Sequence, residues 1–152
     1  MKRLCAVMLM LAATTGWTAE PQRDQFAFTV LSTRGGSWDV DPTVVDGILQ
    51  FGGDYASVTR RTVAANSASA ALQILGSSSA VTWSVVSNRG TGDAIDFLNG
   101  HHGVIEQSTA ASSSGFGILL LNSADNTVRD DYIQGATGLR LSGATRTSVL
   151  RS

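Results

Sequence analysis

GILLLNSADNTVRDDYIQGATGLRLSGATRTSVL, residues 117–150, writes one pattern twice. A glycine opens each copy, aliphatic residues alternate behind it (Ile118 and Leu120, then Leu139 and Leu141), and Asn122 or Gly143 closes the run. The pattern recurs toward the N-terminus in AIDFLNGHHG (94–103), ALQILGSSSA (71–80) and GILQFGGDYA (47–56). Aligned, the second position reads Ile48, Leu72, Ile95, Ile118 and Leu139, with spacings of 24, 23, 23 and 21 residues. The fourth reads Gln50, Ile74, Phe97, Leu120 and Leu141, and the sixth Gly52, Gly76, Asn99, Asn122 and Gly143. About ten residues after each second position a further β-prone stretch starts, at Val58, Val81, Val104-Ile105, Val128 and Val149, as in VTWSVV (81–86) and TVRDDYI (127–133). Each period therefore holds at least two short strands between Gly/Ser/Asn/Asp turns.

A fixed period in this range marks a stacked repeat. One period cannot bury its apolar face alone, but stacking puts Ile48, Leu72, Ile95, Ile118 and Leu139 in one inward ladder. Neighbouring strands are then parallel and ~4.8 Å apart, bonded to the turns above and below. The Gly/Asn column suits a corner that needs positive φ, which Gly adopts freely and Asn tolerates. The expectation is an all-β parallel β-helix of about five coils. An antiparallel sandwich shows similar strand lengths, and a leucine-rich repeat shares the flavour of LLLNSADN but lacks its preceding L-x-x. Residues 64–75 have helical composition, but their place in the register argues for turn plus strand.

Strands of the form G-I-x-L-x-x-S/N-x-x-N, followed by T-V and a second β-stretch, resemble the right-handed parallel β-helix repeats of the pectin-lyase-like superfamily. The resemblance covers residues 47–152 well and 26–46 weakly, where FTVLSTRGG (28–36) reads as a degenerate first coil or an end cap. It implies a fold more than an activity, because that superfamily includes polysaccharide lyases and hydrolases, phage tailspikes, adhesins and periplasmic copper-maturation proteins.

The first nineteen residues differ from the rest. Lys2 and Arg3 precede an unbroken apolar run, Leu4 to Ala13, and then small residues up to Ala19. That is the layout of a secretory signal peptide, with cleavage after Gly16 or Ala19. The run is too short for a membrane span, which takes about 20 apolar residues, and no later segment approaches it. The expected organisation is a leader (1–19), a cap or first coil (20–46) and the repeats (47–152), in a secreted or periplasmic protein with no membrane span after cleavage. The leader holds Cys5 and all three Met, so the mature chain has no thiol for a disulfide, a thiolate metal site or a nucleophile. It also holds Lys2 and Arg3, leaving nine Arg against twelve acids and no basic stripe for nucleic acid.

Several side chains qualify for chemistry. His101 and His102 are the only histidines, and His102 aligns with Ser79, Asp125 and, two coils earlier, Tyr55. A histidine beside a carboxylate suits a general base or a binding contact; a solvated, glycine-flanked turn is the plainer reading. Asp125, Asp130 and Asp131 with Arg129 form the densest charged patch. The resemblance implies that such acids hold Ca²⁺ in lyases, with an Arg as base, and calcium does take several carboxylate oxygens. Yet adjacent strand residues point to opposite faces, so Asp130 and Asp131 diverge, and Asp130 should face inward with Val128 unless a bulge intervenes. The hydrolase pattern also fails, since GHHG precedes RDD and no R-I-K follows. No cofactor is expected beyond that calcium alternative. The outward column reads Leu49, Gln73, Asp96, Leu119 and Arg140, with Asp96 and Arg140 as binding candidates, while Trp83 and Phe97 fall at inward places.

These readings favour a non-catalytic surface or periplasmic module that binds a polysaccharide or a cell-surface protein along one sheet. A polysaccharide lyase or glycoside hydrolase, or a fragment of one, is the alternative. The strand after Leu141 has barely been followed by TSVLRS when the sequence stops, with no polar cap, which marks a candidate truncated piece and an open end suited to self-association.

Overall fold

The structure is a computed structural model, and it describes residues 28–30 and 44–152. Residues 1–19, read from the sequence as a leader, and most of segment 20–46 lie outside the described residues. Two strands come first, β1 (Phe28–Val30) and β2 (Val44–Asp46). Three strands then repeat turn by turn. The first turn holds β3 (Leu49–Phe51), β4 (Ser57–Thr59) and β5 (Thr62–Ala65), and the second β6 (Leu72–Ile74), β7 (Ala80–Thr82) and β8 (Val85–Asn88). The third holds β9 (Ile95–Leu98), β10 (Val104–Glu106) and β11 (Thr109–Ser112), and the fourth β12 (Phe116–Leu121), β13 (Thr127–Arg129) and β14 (Tyr132–Gln134). β15 (Thr137–Ser142) and β16 (Ser148–Leu150) open a fifth.

Every pairing is parallel and joins one turn to the next, giving three sheets: A (β1-β3-β6-β9-β12-β15), C (β4-β7-β10-β13-β16) and B (β2-β5-β8-β11-β14). The molecule is an all-β parallel β-solenoid of about four turns, somewhat fewer than the five coils expected, with no helix among the described residues. Each turn carries three strands, consistent with the at least two read from the sequence. VTWSVV and TVRDDYI each contain two strands and a corner.

The inward ladder of sheet A is Leu49, Leu72, Ile95, Ile118 and Leu139, and beside it run Phe51, Ile74, Phe97, Leu120 and Leu141. The first turn corrects the expected register by one residue: Leu49, not Ile48, enters the ladder. A one-residue slip flips every side chain to the other face, and only this register buries Phe51 completely while leaving Gln50 on the outer face. The outward column is accordingly Gln50, Gln73, Asp96, Leu119 and Arg140. Sheet C contributes Val58, Val81, Ile105, Val128 and Val149, in the places anticipated. Sheet B adds a third inward column of Val63, Val86, Ala110 and Ile133.

Two tight corners separate sheet A from C and sheet C from B. At each, one residue per turn holds positive φ: Tyr55, Ser78, His102, Asp125 and Arg146 at the first, and Arg60, Trp83, Gln107, Asp130 and Arg151 at the second. Asn99, Asn122 and Gly143 hold positive φ as the Gly/Asn column predicted (φ 55, 49 and 63°). Gly76 does not; a Cβ there would collide with the carbonyl of Gly53 one turn away. Ser79 and Asn126 after the first corner, and Ser84, Ser108 and Asp131 after the second, turn their side chains inward and cap the preceding turn. Arg61 N–H donates to Ser84 Oγ (3.1 Å), Ser84 N–H to Ser108 Oγ (3.1 Å), Ser108 N–H to Asp131 Oδ1 (2.7 Å) and Asp131 N–H to Ser152 Oγ (3.3 Å). At the first corner Ala56 N–H donates to Ser79 Oγ (3.1 Å) and Gly103 N–H to Asn126 Oδ1 (2.7 Å). These bonds satisfy donors that the corners remove from the strand ladders.

Candidate functional site: the outer faces

The acids singled out in the sequence are drawn apart by the second corner. Asp130 takes positive φ (58°), which breaks the strand alternation, so Asp130 stays at the surface and Asp131 turns inward. This reverses the inward placement expected of Asp130. Asp130 is engaged by Arg151 (2.6 Å) and Asp125 by Arg146, whose Nε and Nη2 reach its two oxygens at 2.6 and 2.7 Å. The Arg146 guanidinium holds the Asp125 carboxyl below the usual carboxylate range. Arg129 pairs with Glu106 (2.7 Å) on the outer face of sheet C, and the hydrogen bond to that carboxylate raises the Arg129 guanidinium above its ordinary value. Asp131 is buried, and burial raises its carboxyl to about 6 against the pull of its backbone donors. Its Oδ1 caps Ser108, and its Oδ2 has no partner. Among the described residues no three His, Cys, Asp or Glu side chains converge as a metal site would require.

His101 and His102 are both exposed. One residue is inserted in the third turn within NGHHG, since Leu72 to Ile95 spans 23 residues and Ala80 to Val104 spans 24. His102 therefore shares the corner column with Ser78 rather than Ser79, and with Asp125 and Tyr55 as expected. Arg146 already occupies the Asp125 carboxylate, so the histidines do not gain it as a dedicated partner.

Asp96 lies on the outer face of sheet A between Gln73 and Leu119. Arg140 stands two turns further along, its guanidinium 4.9 Å from the centre of the Phe116 ring. Asp96 is half-buried with Oδ1 unpartnered. Desolvation, followed by hydrogen bonding to Asp93 and the Asp93 charge, raises its carboxyl to about 7. Asp93 was not singled out in the sequence; its Oδ1 accepts the Phe116 N–H (2.6 Å). A carboxyl that keeps its proton near neutrality beside a second carboxylate can serve as a general acid.

Sheet B presents the apolar and aromatic surface that sequence reasoning missed. Its outer columns are Thr62, Val85, Thr109 and Tyr132, and Ala64, Ser87, Ala111 and Gln134. Val85 is 45% and Tyr132 62% exposed, and Trp83 at the adjoining corner is 57% exposed rather than inward. Phe97 is buried, as expected. Trp83 looked inward because VTWSVV was read as one alternating strand; positive φ at Trp83 (54°) aims its ring out. The Tyr132 hydroxyl donates to Gln134 Oε1 (3.4 Å) and so leans over the second column. There Ser87, Ala111 and Gln134 floor a groove of about 300 Å³, walled by the turn residues Arg89, Ser113 and Ala136. No protein family, curated protein or solved structure matches this chain.

Proposed function

We propose that the chain is an exported, non-catalytic, right-handed parallel β-helix of the pectin-lyase-like type that binds a polysaccharide along the outer face of sheet B. The repeat pattern and the strong preference of parallel crossovers for the right hand support the handedness. The basic, apolar and small-residue zones of the leader support a secreted or periplasmic location. One observation carries the binding reading: Trp83, Val85 and Tyr132 are exposed together beside a groove floored by small and hydroxylated side chains. Aromatic faces accept the apolar faces of sugar rings, and hydroxyl and amide groups supply orientation. The acids at the second corner are engaged in pairing and capping, which argues against their use in chemistry. Affinity electrophoresis through gels containing neutral or acidic polysaccharides tests this. Retardation by at least one polymer is expected, weakened about tenfold or more in Trp83→Ala and Tyr132→Ala, with no new reducing or unsaturated ends. Unchanged retardation in both variants, or binding only to a cell-surface protein fraction, would contradict it.

A second reading, a glycoside hydrolase or polysaccharide lyase, is favoured by one feature alone. Asp96 holds its proton near neutrality next to Asp93, as a general acid must. Turnover that disappears in Asp96→Asn would establish that reading in place of the first.

A further inference from the structure

Of the side chains that line the groove on sheet B, Arg89 alone is charged, and it is exposed. Arg129, Arg146 and Arg151 each meet a carboxylate at 2.6 or 2.7 Å, and Arg140 lies over the Phe116 ring. Arg89 has no such partner among the described residues. The acids of its turn and of the groove's column do not line the groove. Asp93 accepts the Phe116 N–H (2.6 Å) and hydrogen-bonds to Asp96 on sheet A, and Asp46 stands two turns from Ser87 in its column. We infer that the groove is a subsite for an oxyanion carried on a sugar ring, a carboxylate or a sulfate ester, which Arg89 receives. The inference rests on the polysaccharide reading and narrows it to an anionic polymer.

The backbone that carries Arg89 is fixed by its buried neighbour. Asn88 Oδ1 accepts the N–H groups of Ser67 (3.1 Å) and Gly90 (3.0 Å), and its Nδ2 donates to the carbonyls of Ser69 (2.8 Å) and Asp93 (3.0 Å). The Arg89 N–H donates to the Ala65 carbonyl (2.8 Å). In the next turn Ser112 Oγ donates to the Gly92 carbonyl (2.8 Å) and accepts the Gly115 N–H (2.8 Å), tying the two walls together. A cation presented from a pinned turn loses little backbone freedom on binding. Its planar fork matches two oxygens of a carboxylate or sulfate. Gln134 spends its Oε1 on the Tyr132 hydroxyl, which leaves its Nε2 as a donor on the groove floor, and Tyr132 offers a ring face beside it. An ion pair wholly in water contributes little, but a sugar seated here withdraws the guanidinium from part of its hydration. A neutral sugar would do so without returning a charge, whereas an oxyanion offsets that cost.

Affinity electrophoresis of the full chain against two matched pairs of polymers tests it: alginate with its carboxyl-reduced form, and carrageenan with its desulfated form. The charged member of at least one pair should retard the chain about tenfold or more strongly than its neutral counterpart, and which pair responds identifies the oxyanion. Arg89→Gln should weaken that retardation by about tenfold with the thermal midpoint unchanged, since the Arg89 side chain holds no part of the fold together. Arg89→Lys, which keeps the charge but not the fork, should recover part of it. Arg129→Gln removes the same charge from the outer face of sheet C and should have no effect. Equal retardation by charged and neutral members, indifference to Arg89→Gln, or an equal loss in Arg129→Gln would overturn the inference. Any of these with retardation still weakened in Trp83→Ala and Tyr132→Ala would leave the polysaccharide reading standing; no retardation by any of the four polymers would overturn both.

Discussion

Ten non-glycine residues with positive φ line the two tight corners, from Tyr55 to Arg146 and from Arg60 to Arg151. For an ordinary L-residue this conformation costs on the order of 1 kcal/mol. The cost is tolerated because the next residue can then turn inward and cap the turn before it. Side chains at the corner itself project outward, which explains why Trp83 and Tyr55 are exposed and why Asp125 and Asp130 meet arginines at the surface. Gln107 (φ 51°) is exposed, so its side chain adds little to set against the strain. Gln107→Gly should therefore stabilise the fold by up to about 1 kcal/mol, while Gln107→Ile should destabilise it by a similar amount or more. Urea denaturation of the pair reads both signs. Apart from Asp125 and Asp130, these corner residues are not flagged by turn chemistry, which looks for Gly, Asn, Asp and Pro; that is why Trp83 read as an inward strand residue.

At the scale of the strand and corner, legibility followed the chemistry of each column. The sheet A ladder from Leu72 onward could be read because Gly or Asn punctuates it and aliphatic residues alternate within it. The first turn slipped by one because Ile48 and Leu49 are both aliphatic, and only Phe51 decides between them. Sheet B was not separated from sheet C because no glycine or asparagine column marks the corner between them, which is followed by Arg61, Ser84, Ser108, Asp131 and Ser152. Of the candidate site, the outward places of Asp96 and Arg140 were legible from periodicity. The divergence of Asp130 and Asp131 was also legible, but not which of the two turns in, since that depends on the corner.

The serine-to-aspartate exchange at the corner between sheets C and B has a measurable consequence. Asp131, at about 6, and Asp96, at about 7, both lie above the ordinary 3.8. The folded state then binds more protons than the unfolded state between about pH 4 and 7, so stability falls as pH rises through that window. The thermal midpoint should be higher near about pH 5 than near about pH 8. Asp131→Ser, which continues the serine cap, should remove the lower part of that slope and stabilise the chain at neutral pH. Asp96→Asn should remove the upper part. A midpoint that rises from acid to neutral pH would show that these carboxyls are not held in their protonated forms.

Across the whole molecule, the stack is held by three inward columns that run its length, and each turn leaves its outer residues free to differ from the turn below. Sheet A presents glutamines, Asp96, Leu119 and Arg140, sheet C a charge pair, and sheet B aromatic and hydroxylated groups. A solenoid of this kind can therefore carry a binding surface on one face without altering the core that supports it. The account rests on the register that assigns every residue to the core or to a face, and neighbours in β12 test it most directly. Ile118 is fully buried mid-ladder, while Leu119 stands between Asp96 and Arg140 on the outer face. Thermal unfolding followed by circular dichroism should show that Ile118→Asp abolishes cooperative folding, because an unpaired buried charge exceeds a total stability of about 5–15 kcal/mol. Leu119→Asp should keep a cooperative transition within a few degrees of the unaltered chain; two variants that behave alike would contradict the register and the faces built on it.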